Sequence, residues 1–214
     1  MSQKDIFLNS EADFWFKRNQ NTLRARKQCP HLDKIIESLP KHNPLKILEI
    51  GSSDGTNLDY IKKNSINKDL TLFGVDPSKE AIDHGKEQFT DINLALGTSD
   101  DLSSFEGQVF DVIILGFCLY LVDRELLPKT VYEIDSKLKP GGQVIIFDFD
   151  SKYPSQNKYI HCEGINSFKM DYSQMFLGFP NYTLIDKISW SHQDFSFTPD
   201  KNERCSTWTL FKEL

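Results

Sequence analysis

Hydrophobic residues are distributed along the chain in two patterns. Short apolar runs rich in β-branched residues, bounded by proline, glycine or aspartate, predict buried strands. Segments with apolar residues every three or four positions predict amphipathic helices between those strands. The predicted strands are LKILEI, LTLFGVD, INLALG, VFDVIILG and KPGGQVIIFDF, followed late in the chain by YTLIDKISW and CSTWTLFKE. The predicted helices are GTNLDYIKKN, PSKEAIDHGKEQF and DRELLPKTVYEIDSKL, with SEADFWFKRNQNTLRARKQ and HLDKIIESLP ahead of the first strand.

The order of these elements predicts the fold class. Strands that alternate with helices favour a parallel sheet covered by helices on both faces. The last two strands follow one another with only a polar segment between them, so we expect an antiparallel pair at the edge of the sheet. The prediction is an α/β fold, a Rossmann-like three-layer sandwich whose mostly parallel seven-stranded sheet carries an antiparallel edge strand.

Polar residues and glycines follow the first two strands, where the strand ends meet at one edge of the sheet and ligands bind. In the loop GSSDG, Gly51 and Gly55 allow close approach of a ligand ahead of a helix whose free N–H groups attract an anionic group. A tight connection without a ligand is the alternative. The second strand ends at Asp76, whose carboxylate suits two vicinal ribose hydroxyls; a solvated or capping aspartate is the alternative.

The third and fourth strands end in sequences of different chemistry. GTSDDL brings Thr98, Ser99 and Asp100 to the strand end, where they suit the edge of a flat base and Asp100 suits an exocyclic amine. LGFCLYL carries no charge and suits an apolar wall. Consecutive strand ends therefore predict an anion site, a ribose acceptor and a base edge.

The order and spacing of these motifs across residues 45–150 resemble those of class I S-adenosylmethionine-dependent methyltransferases. The resemblance implies S-adenosylmethionine as cofactor, S-adenosylhomocysteine as product, and an acidic residue, Glu49, that organises the glycine loop. It also shows one departure, because Ser53 stands where the family often has glycine. The residues implied to bind the cofactor are Trp15, Arg18, Glu49, Gly51, Ser52, Ser53, Gly55, Asn57, Asp76, Pro77, Thr98, Ser99, Asp100, Leu115, Gly116 and Phe117.

The two ends of the chain carry a second resemblance. EADFWFKRN, FKMDYSQMF and TWTLFKE are similar to segments of small methyltransferases found with bacterial surface-sugar biosynthesis, including those associated with pseudaminic acid. This likeness implies an N-terminal helix folded over the cofactor, with Trp15 covering it and Arg18 paired with its carboxylate. Packing in the core is the alternative for Trp15.

We expect residues 1–214 to form a single methyltransferase domain. Its parts are residues 1–40 (N-terminal cap helices, the first of them beginning at Ser10 and ending before Pro30), 45–150 (cofactor-binding core), 151–180 (acceptor or lid region) and 181–214 (last two strands). The third part has weak periodicity and many tyrosines, which is typical of a loop with a function.

Methyl transfer needs a nucleophile aligned with the methyl group, and a base assists when the nucleophile is a hydroxyl. The catalytic candidates are Tyr120, His161 and Asp148, with Tyr172 as a further acceptor contact. Histidine is a common general base, which suits His161, although a histidine in a polar loop also fits an ordinary surface position. Tyr120 also fits the core. Methylation of oxygen, nitrogen or carbon stays open at this point.

Composition and charge limit the partners. The formal net charge of −6 argues against a nucleic-acid acceptor, and four scattered cysteines without a C-x-x-C pair argue for reduced thiols and no metal site. The N-terminus lacks a signal peptide, and the apolar run VIILGFCLYLV is too short to span a bilayer. We therefore expect a cytoplasmic enzyme without membrane contact, acting on a small molecule such as a sugar or surface-glycan precursor.

Two other classes remain as alternatives. A nicotinamide-dependent oxidoreductase would share the fold, but the glycines are spaced G-x-x-x-G and not G-x-G-x-x-G. A non-catalytic binding protein would share both fold and motifs, and a blocked cofactor pocket would favour it. The oligomeric state is left open.

Overall fold

The computed structural model describes residues 2–25 and 29–214. The strands are β1 (Leu45–Ile50), β2 (Leu70–Asp76), β3 (Ile92–Leu96), β4 (Phe110–Gly116), β5 (Leu138–Phe149), β6 (Ser155–Lys158), β7 (Asn166–Lys169), β8 (Tyr182–Ser191) and β9 (Arg204–Lys212). The α-helices are α1 (Gln3–Ile6), α2 (Ala12–Arg24), α3 (Pro30–Ser38), α4 (Thr56–Asn64), α5 (Lys79–Gln88), α6 (Leu127–Lys137) and α7 (Gln174–Leu177). Every strand predicted from the sequence is present.

Seven strands of these described ranges form the main sheet, in the order β3-β2-β1-β4-β5-β9-β8. Strands β1 to β5 run parallel, and β9 runs antiparallel to both β5 and β8. The predicted α/β Rossmann-like fold is therefore confirmed, with the antiparallel strand one place in from the edge. The order reverses between β1 and β4, and sheets of this type bind ligands at such a reversal.

Two apolar layers cover the faces of the sheet. On one face Leu32 and Ile35 of α3 pack with residues of α4 and α5 against the sheet, and on the other Val131 and Ile134 of α6 pack with Phe176 of α7. Every residue of β4 is buried, as its continuous apolar run predicts for a strand covered on both sides. This three-layer packing fixes the strand ends at one edge.

The N-terminal helix begins earlier than predicted. Ser2 caps α1 by accepting from the Asp5 N–H, and a π-helical turn, Phe7–Glu11, joins α1 to α2. Ser10 is therefore not a cap, because it lies inside the continuous helix, where its hydroxyl donates to the Ile6 carbonyl. The predicted C-terminal part of this helix, residues 26–28, lies outside the described residues, and Pro30 begins α3.

The predicted lid region contains more regular structure than its weak periodicity indicated. Strands β6 and β7 pair as an antiparallel hairpin. Tyr172 is fully buried, and its hydroxyl donates to the Phe168 carbonyl (2.8 Å). Tyr172 is thus a core residue and not an acceptor contact. Across the described part of the chain, no helix has the length and apolarity needed to cross a bilayer.

Candidate functional site

A cavity of about 720 Å³ opens at the carboxyl ends of the parallel strands. It lies where the strand order reverses, between β1 and β4, and the N-terminal helix covers it. The sequence-predicted residues that line it are Trp15, Gly51, Ser53, Asn57, Asp76, Pro77, Thr98, Ser99, Asp100, Gly116, Phe117, Tyr120 and His161. The motifs of four separate strand ends therefore meet in one cavity.

The glycine loop approaches the end of β4 closely. Gly51 has φ +78°, and a Cβ built on it would lie 2.8 Å from Cys118 Cβ and 3.2 Å from the Gly116 carbonyl oxygen. Its N–H and that of Ser52 both donate to the Val75 carbonyl (2.9 and 3.1 Å), so the turn is tied to β2. A side chain at residue 51 would collide with Cys118 and Gly116, so the close approach of the loop to β4 requires glycine here.

Ser53 occupies a strained and unsatisfied position in this loop. It has φ +49°, the left-handed conformation that explains why glycine is common here. Its hydroxyl oxygen is buried and has no hydrogen-bond partner within the described residues, although the residue lines the cavity. Buried polar atoms are rarely left unpaired. The unpaired Ser53 hydroxyl and the tight turn at Gly51 therefore fit a polar ligand, such as the amino-acid part of S-adenosylmethionine.

Asp76 lies at the tip of β2 with both carboxylate oxygens fixed. Oδ2 accepts from the Ser53 N–H (2.9 Å) and Oδ1 from the Ser78 N–H (2.8 Å). Burial raises the pKa of this carboxyl to about 6, against the effect of these two hydrogen bonds. Each oxygen keeps a lone pair for a further donor in the cavity, as a ribose diol requires.

Asp100, expected to accept from an exocyclic amine, already has partners. Lys4 of α1 donates to Oδ2 (2.7 Å) and Thr98 to Oδ1 (2.8 Å), and Lys129 lies 3.8 Å away. Burial acts to raise the pKa of Asp100, but the hydrogen bonds from Lys4 and Thr98 hold it below its ordinary value. Ser99 shares a hydrogen bond with the Thr130 hydroxyl (3.0 Å). The N-terminal helix therefore contributes a cation to the predicted base-binding end.

Several predicted cofactor residues do not line the cavity: Arg18, Glu49, Ser52, Gly55 and Leu115. Arg18 forms an ion pair with buried Glu11 (2.5 Å) and lies 3.3 Å from the Tyr159 hydroxyl, so the structure gives its guanidinium other partners than a cofactor carboxylate. Ser52 and Leu115 are buried in the packing beneath the loop.

Glu49 acts on the cavity through a neighbour. It is fully buried, and Asn57, which does line the cavity, donates to its Oε1 (2.8 Å). Its Oε2 has no hydrogen-bond partner among the described residues, and burial raises its pKa to about 8. Glu49 thus orients Asn57, and its predicted role as organiser of the loop stays a prediction.

Of the catalytic candidates, Asp148 does not line the cavity. It is fully buried, and its two oxygens accept from the N–H groups of Tyr120 (3.2 Å) and Phe149 (2.7 Å). Burial raises its pKa to about 7. A direct role with the acceptor is therefore not supported: Asp148 holds the backbone of the turn that carries Tyr120. His161 lies exposed at the cavity mouth, with its ring against Tyr159.

One part of the cavity wall beyond the strand ends is aromatic, and we call this part the acceptor chamber. Phe117 has φ +44°, and its ring centroid lies 5.7 Å from that of Phe149, 5.5 Å from His192 and 6.5 Å from Tyr120. Lys169 of β7 also lines it. Non-glycine residues held at positive φ concentrate at functional sites, since the surrounding structure must offset the strain.

Sequence reasoning missed Phe149, Lys169 and His192 as cavity residues. Phe149 follows the predicted candidate Asp148 directly, and alternation along the strand was the signal that could have found it. Lys169 and His192 come from separate elements late in the chain, and no local motif marks either. Among the described residues, no group of three or more His, Cys, Asp or Glu side chains is arranged to hold a metal ion.

The fully buried carboxyls Glu49 and Asp148 and the half-buried Asp76 predict an unusual pH dependence of stability. Their pKa values in the folded protein are raised chiefly by burial, to about 8, 6 and 7. The folded state therefore keeps protons that the unfolded chain has released, and stability falls as pH rises from about 4.5 to 8. We expect the free energy of unfolding, measured with urea, to be lower at pH 8 than at pH 5.5 by on the order of 6 kcal/mol, about half of it from Glu49.

Glu49→Gln should reduce the slope of this profile by about half, because the amide does not titrate while Asp76 and Asp148 still do. Glu163→Gln, at an exposed position, is the matched control and should leave the slope unchanged. A free energy of unfolding that rises between pH 5.5 and 8 would contradict the assigned burial effects.

Comparison with known proteins agrees with this geometry. A family model described as a methyltransferase domain matches residues 47–142. The Burkholderia thailandensis 1,6-didemethyltoxoflavin-N1-methyltransferase, solved with bound 1,6-didemethyltoxoflavin and S-adenosylhomocysteine, shares the fold (TM-score 0.72, 14% identity, 98% of this chain and 89% of that chain). A Haloferax volcanii putative methyltransferase in complex with the Trm112 activator also does (TM-score 0.67, 17% identity, 94% of each chain).

Residues 47–142 therefore match a methyltransferase domain, and the chain has the fold of class I S-adenosylmethionine-dependent methyltransferases, a class whose cofactor is S-adenosylmethionine. The prediction of class and cofactor is confirmed. Among curated proteins, a tRNA N(3)-methylcytidine methyltransferase of Schizosaccharomyces pombe is 25% identical over 194 residues, covering 79% of this chain. The chain spans 63% of that relative's length.

These comparisons correct the expected partners. A small-molecule acceptor without nucleic acid was predicted, but the curated relative is a tRNA methyltransferase and one structural neighbour is bound to a protein activator. The prediction was wrong because it rested on net charge, which averages over the whole surface. Lys158 and Lys169 both line the cavity despite the negative total.

Proposed function

We propose that the protein transfers a methyl group from S-adenosylmethionine to a ring nitrogen of an RNA pyrimidine. The observation that carries the proposal is the acceptor chamber, whose aromatic side chains Phe117, Phe149, Tyr120 and His192 line the same cavity as the cofactor residues. A flat base stacks on such rings, and stacking contributes about 1–3 kcal/mol per base. The likeness to a tRNA N(3)-methylcytidine enzyme supports the choice of acceptor.

The residues present suit this chemistry. When bound, S-adenosylmethionine supplies an electrophilic methyl group. A pyrimidine ring nitrogen with a free lone pair attacks without first losing a proton, so the chain must orient the ring and exclude water. The aromatic faces also stabilise the positive charge that the base acquires. Burial raises the pKa of the Tyr120 hydroxyl, which has a hydrogen bond with the Trp15 side chain, so Tyr120 stays neutral and acts as a polar wall.

We further propose roles for the untested site residues. Gly51, Ser53 and Asn57 bind the amino-acid part of the cofactor, Asp76 its ribose, and Ser99 with the Lys4–Asp100 pair its adenine. Trp15 covers the nucleoside, as its place on the cavity wall supports. The non-catalytic alternative is not favoured, because the cavity is open. The resemblance to surface-sugar methyltransferases stays a prediction.

The test uses purified protein, tritiated S-adenosylmethionine and a pool of unmodified tRNA transcripts. We expect label in RNA, which nuclease digestion and mass spectrometry should identify as a base-methylated pyrimidine nucleoside. Phe117→Ala should reduce the initial rate about tenfold or more, since it removes a stacking ring. Phe179→Ala, an exposed ring that does not line the cavity, is the matched control.

Two results would separate the parts of this proposal. Binding of S-adenosylhomocysteine without label in any RNA contradicts the RNA acceptor and leaves the methyltransferase class intact. Failure to bind the cofactor at millimolar concentration contradicts the assigned roles of the cavity residues.

A further inference from the structure

Lys169 is a cation without a carboxylate partner at the wall of the acceptor chamber. It ends β7, is half-buried, and lines the cavity. Its Nζ donates to the Asn202 carbonyl and lies 4.0 Å from the centroid of the Phe149 ring. Within residues 2–25 and 29–214, no carboxylate oxygen is within 4.0 Å of this nitrogen. An ammonium has three donors, so at least one is left for a ligand.

Other cations in this part of the protein, unlike Lys169, have carboxylate partners. Lys187 pairs with Asp150 (3.2 Å) and Asp171 (3.0 Å), and Arg204 lies 3.4 Å from Asp150. At the other end of the cavity Lys4 pairs with Asp100. Lys169 is partly removed from water but lacks the carboxylate partner that each of these cations has. Removal of a charge from water is unfavourable unless an opposite charge or a ligand is present.

Burial also lowers the pKa of Lys169, against the attraction of the more distant Glu203, Cys205, Asp200 and Asp148. An anion at the ammonium would reverse this effect, because an opposite charge nearby favours the charged form. The surroundings therefore favour an anionic group on the ligand.

We propose that Lys169 binds an anionic oxygen of the acceptor, next to the ring that the acceptor chamber holds. The proposal rests on the proposed function, in which this oxygen belongs to the phosphate of the methylated nucleotide. Phe149 belongs to both the aromatic wall and the surroundings of Lys169, so it sets the distance between them. Its ring faces the Lys169 ammonium on one side, and its centroid is 5.7 Å from that of Phe117 and 5.4 Å from that of His192. A nucleotide presents a base and a phosphate at comparable separation, so one ligand can contact both.

The experiment measures binding of four probes to protein saturated with S-adenosylhomocysteine: cytidine, cytidine 5′-monophosphate, benzyl alcohol and benzoate. The first two differ by a phosphate and the last two by a carboxylate. We expect the wild type to bind the monophosphate about tenfold more tightly than cytidine, as charge-assisted hydrogen bonds of this kind provide. In Lys169→Met the two dissociation constants should become equal, while that of cytidine stays unchanged.

Lys201→Met is the matched control, because Lys201 is exposed near Asn202 and does not line the cavity. It should keep the wild-type preference, and Lys169→Arg should keep part of it. Absence of any Lys169-dependent preference for an anionic probe overturns the proposal. A Lys169-dependent preference for benzoate alone supports the anion site and contradicts the RNA acceptor.

Discussion

Replacement of Asp76 by alanine is expected to weaken binding of S-adenosylhomocysteine about a hundredfold. The carboxylate would accept from two ribose hydroxyls, and charge-assisted hydrogen bonds contribute about 1.5–3 kcal/mol each. The same change leaves the N–H groups of Ser53 and Ser78 without their acceptors at 2.9 and 2.8 Å. Isothermal titration calorimetry at pH 8, where Asp76 is ionised, measures the effect directly.

Asp54→Ala provides the comparison within the same site. Asp54 also lines the cavity, but its carboxylate is engaged by Thr56 (2.7 Å to the hydroxyl) and by His84 (3.2 Å). We therefore expect a smaller loss of cofactor affinity, about tenfold or less. Equal dissociation constants for the two variants would contradict the role given to Asp76.

Replacement of Gly85 by alanine is expected to lower the free energy of unfolding by about 2–3 kcal/mol. Gly85 lies on α5 against the glycine loop, and a Cβ there would be 2.3 Å from the Asp54 carbonyl oxygen and 2.4 Å from Leu94 Cδ1. The backbone atom cannot move without displacing the loop, and this clash outweighs the roughly 1 kcal/mol that alanine adds to a helix. Thermal unfolding should show a Tm lower by about 5–10 °C.

Gly178→Ala is the matched control for this substitution. Gly178 has φ −69°, and the atom nearest to a Cβ built on it is the Gln174 carbonyl oxygen at 3.9 Å. We expect its free energy of unfolding to stay within about 0.5 kcal/mol of the wild type. A Gly85→Ala protein as stable as this control would show that α5 does not support the loop as described.

The strands and the cofactor cavity could be predicted because their signals are local. A buried parallel strand is a continuous apolar run, and the residue after it points to the ligand edge whichever helix follows. Asp76, Gly51 and Thr98 could therefore be placed from the order of the strands alone. The family resemblance added the cofactor's identity and the buried residues Glu49 and Leu115, which the strand order alone does not mark.

The remaining features depend on contacts between distant parts of the chain. Arg18 was assigned to the cofactor because of the resemblance at the N-terminal end, yet Glu11, seven residues earlier on the same helix, forms an ion pair with it. Asp148 ends β5 at the functional edge, but the turn around Tyr120 covers it. Lys169 reaches the acceptor chamber only because the β6–β7 hairpin folds back over the sheet.

A single amide side chain connects the two halves of the cavity. Gln3 donates to the carbonyls of Leu121 (2.9 Å) and Asn166 (3.2 Å) and accepts from the Asn166 N–H (2.7 Å). The N-terminal helix, the turn beyond Phe117 and the β6–β7 hairpin are thus joined through this one side chain. Movement of the N-terminal helix away from the cavity would break its bonds to the turn and to the hairpin together, so we expect the three segments to move as a unit.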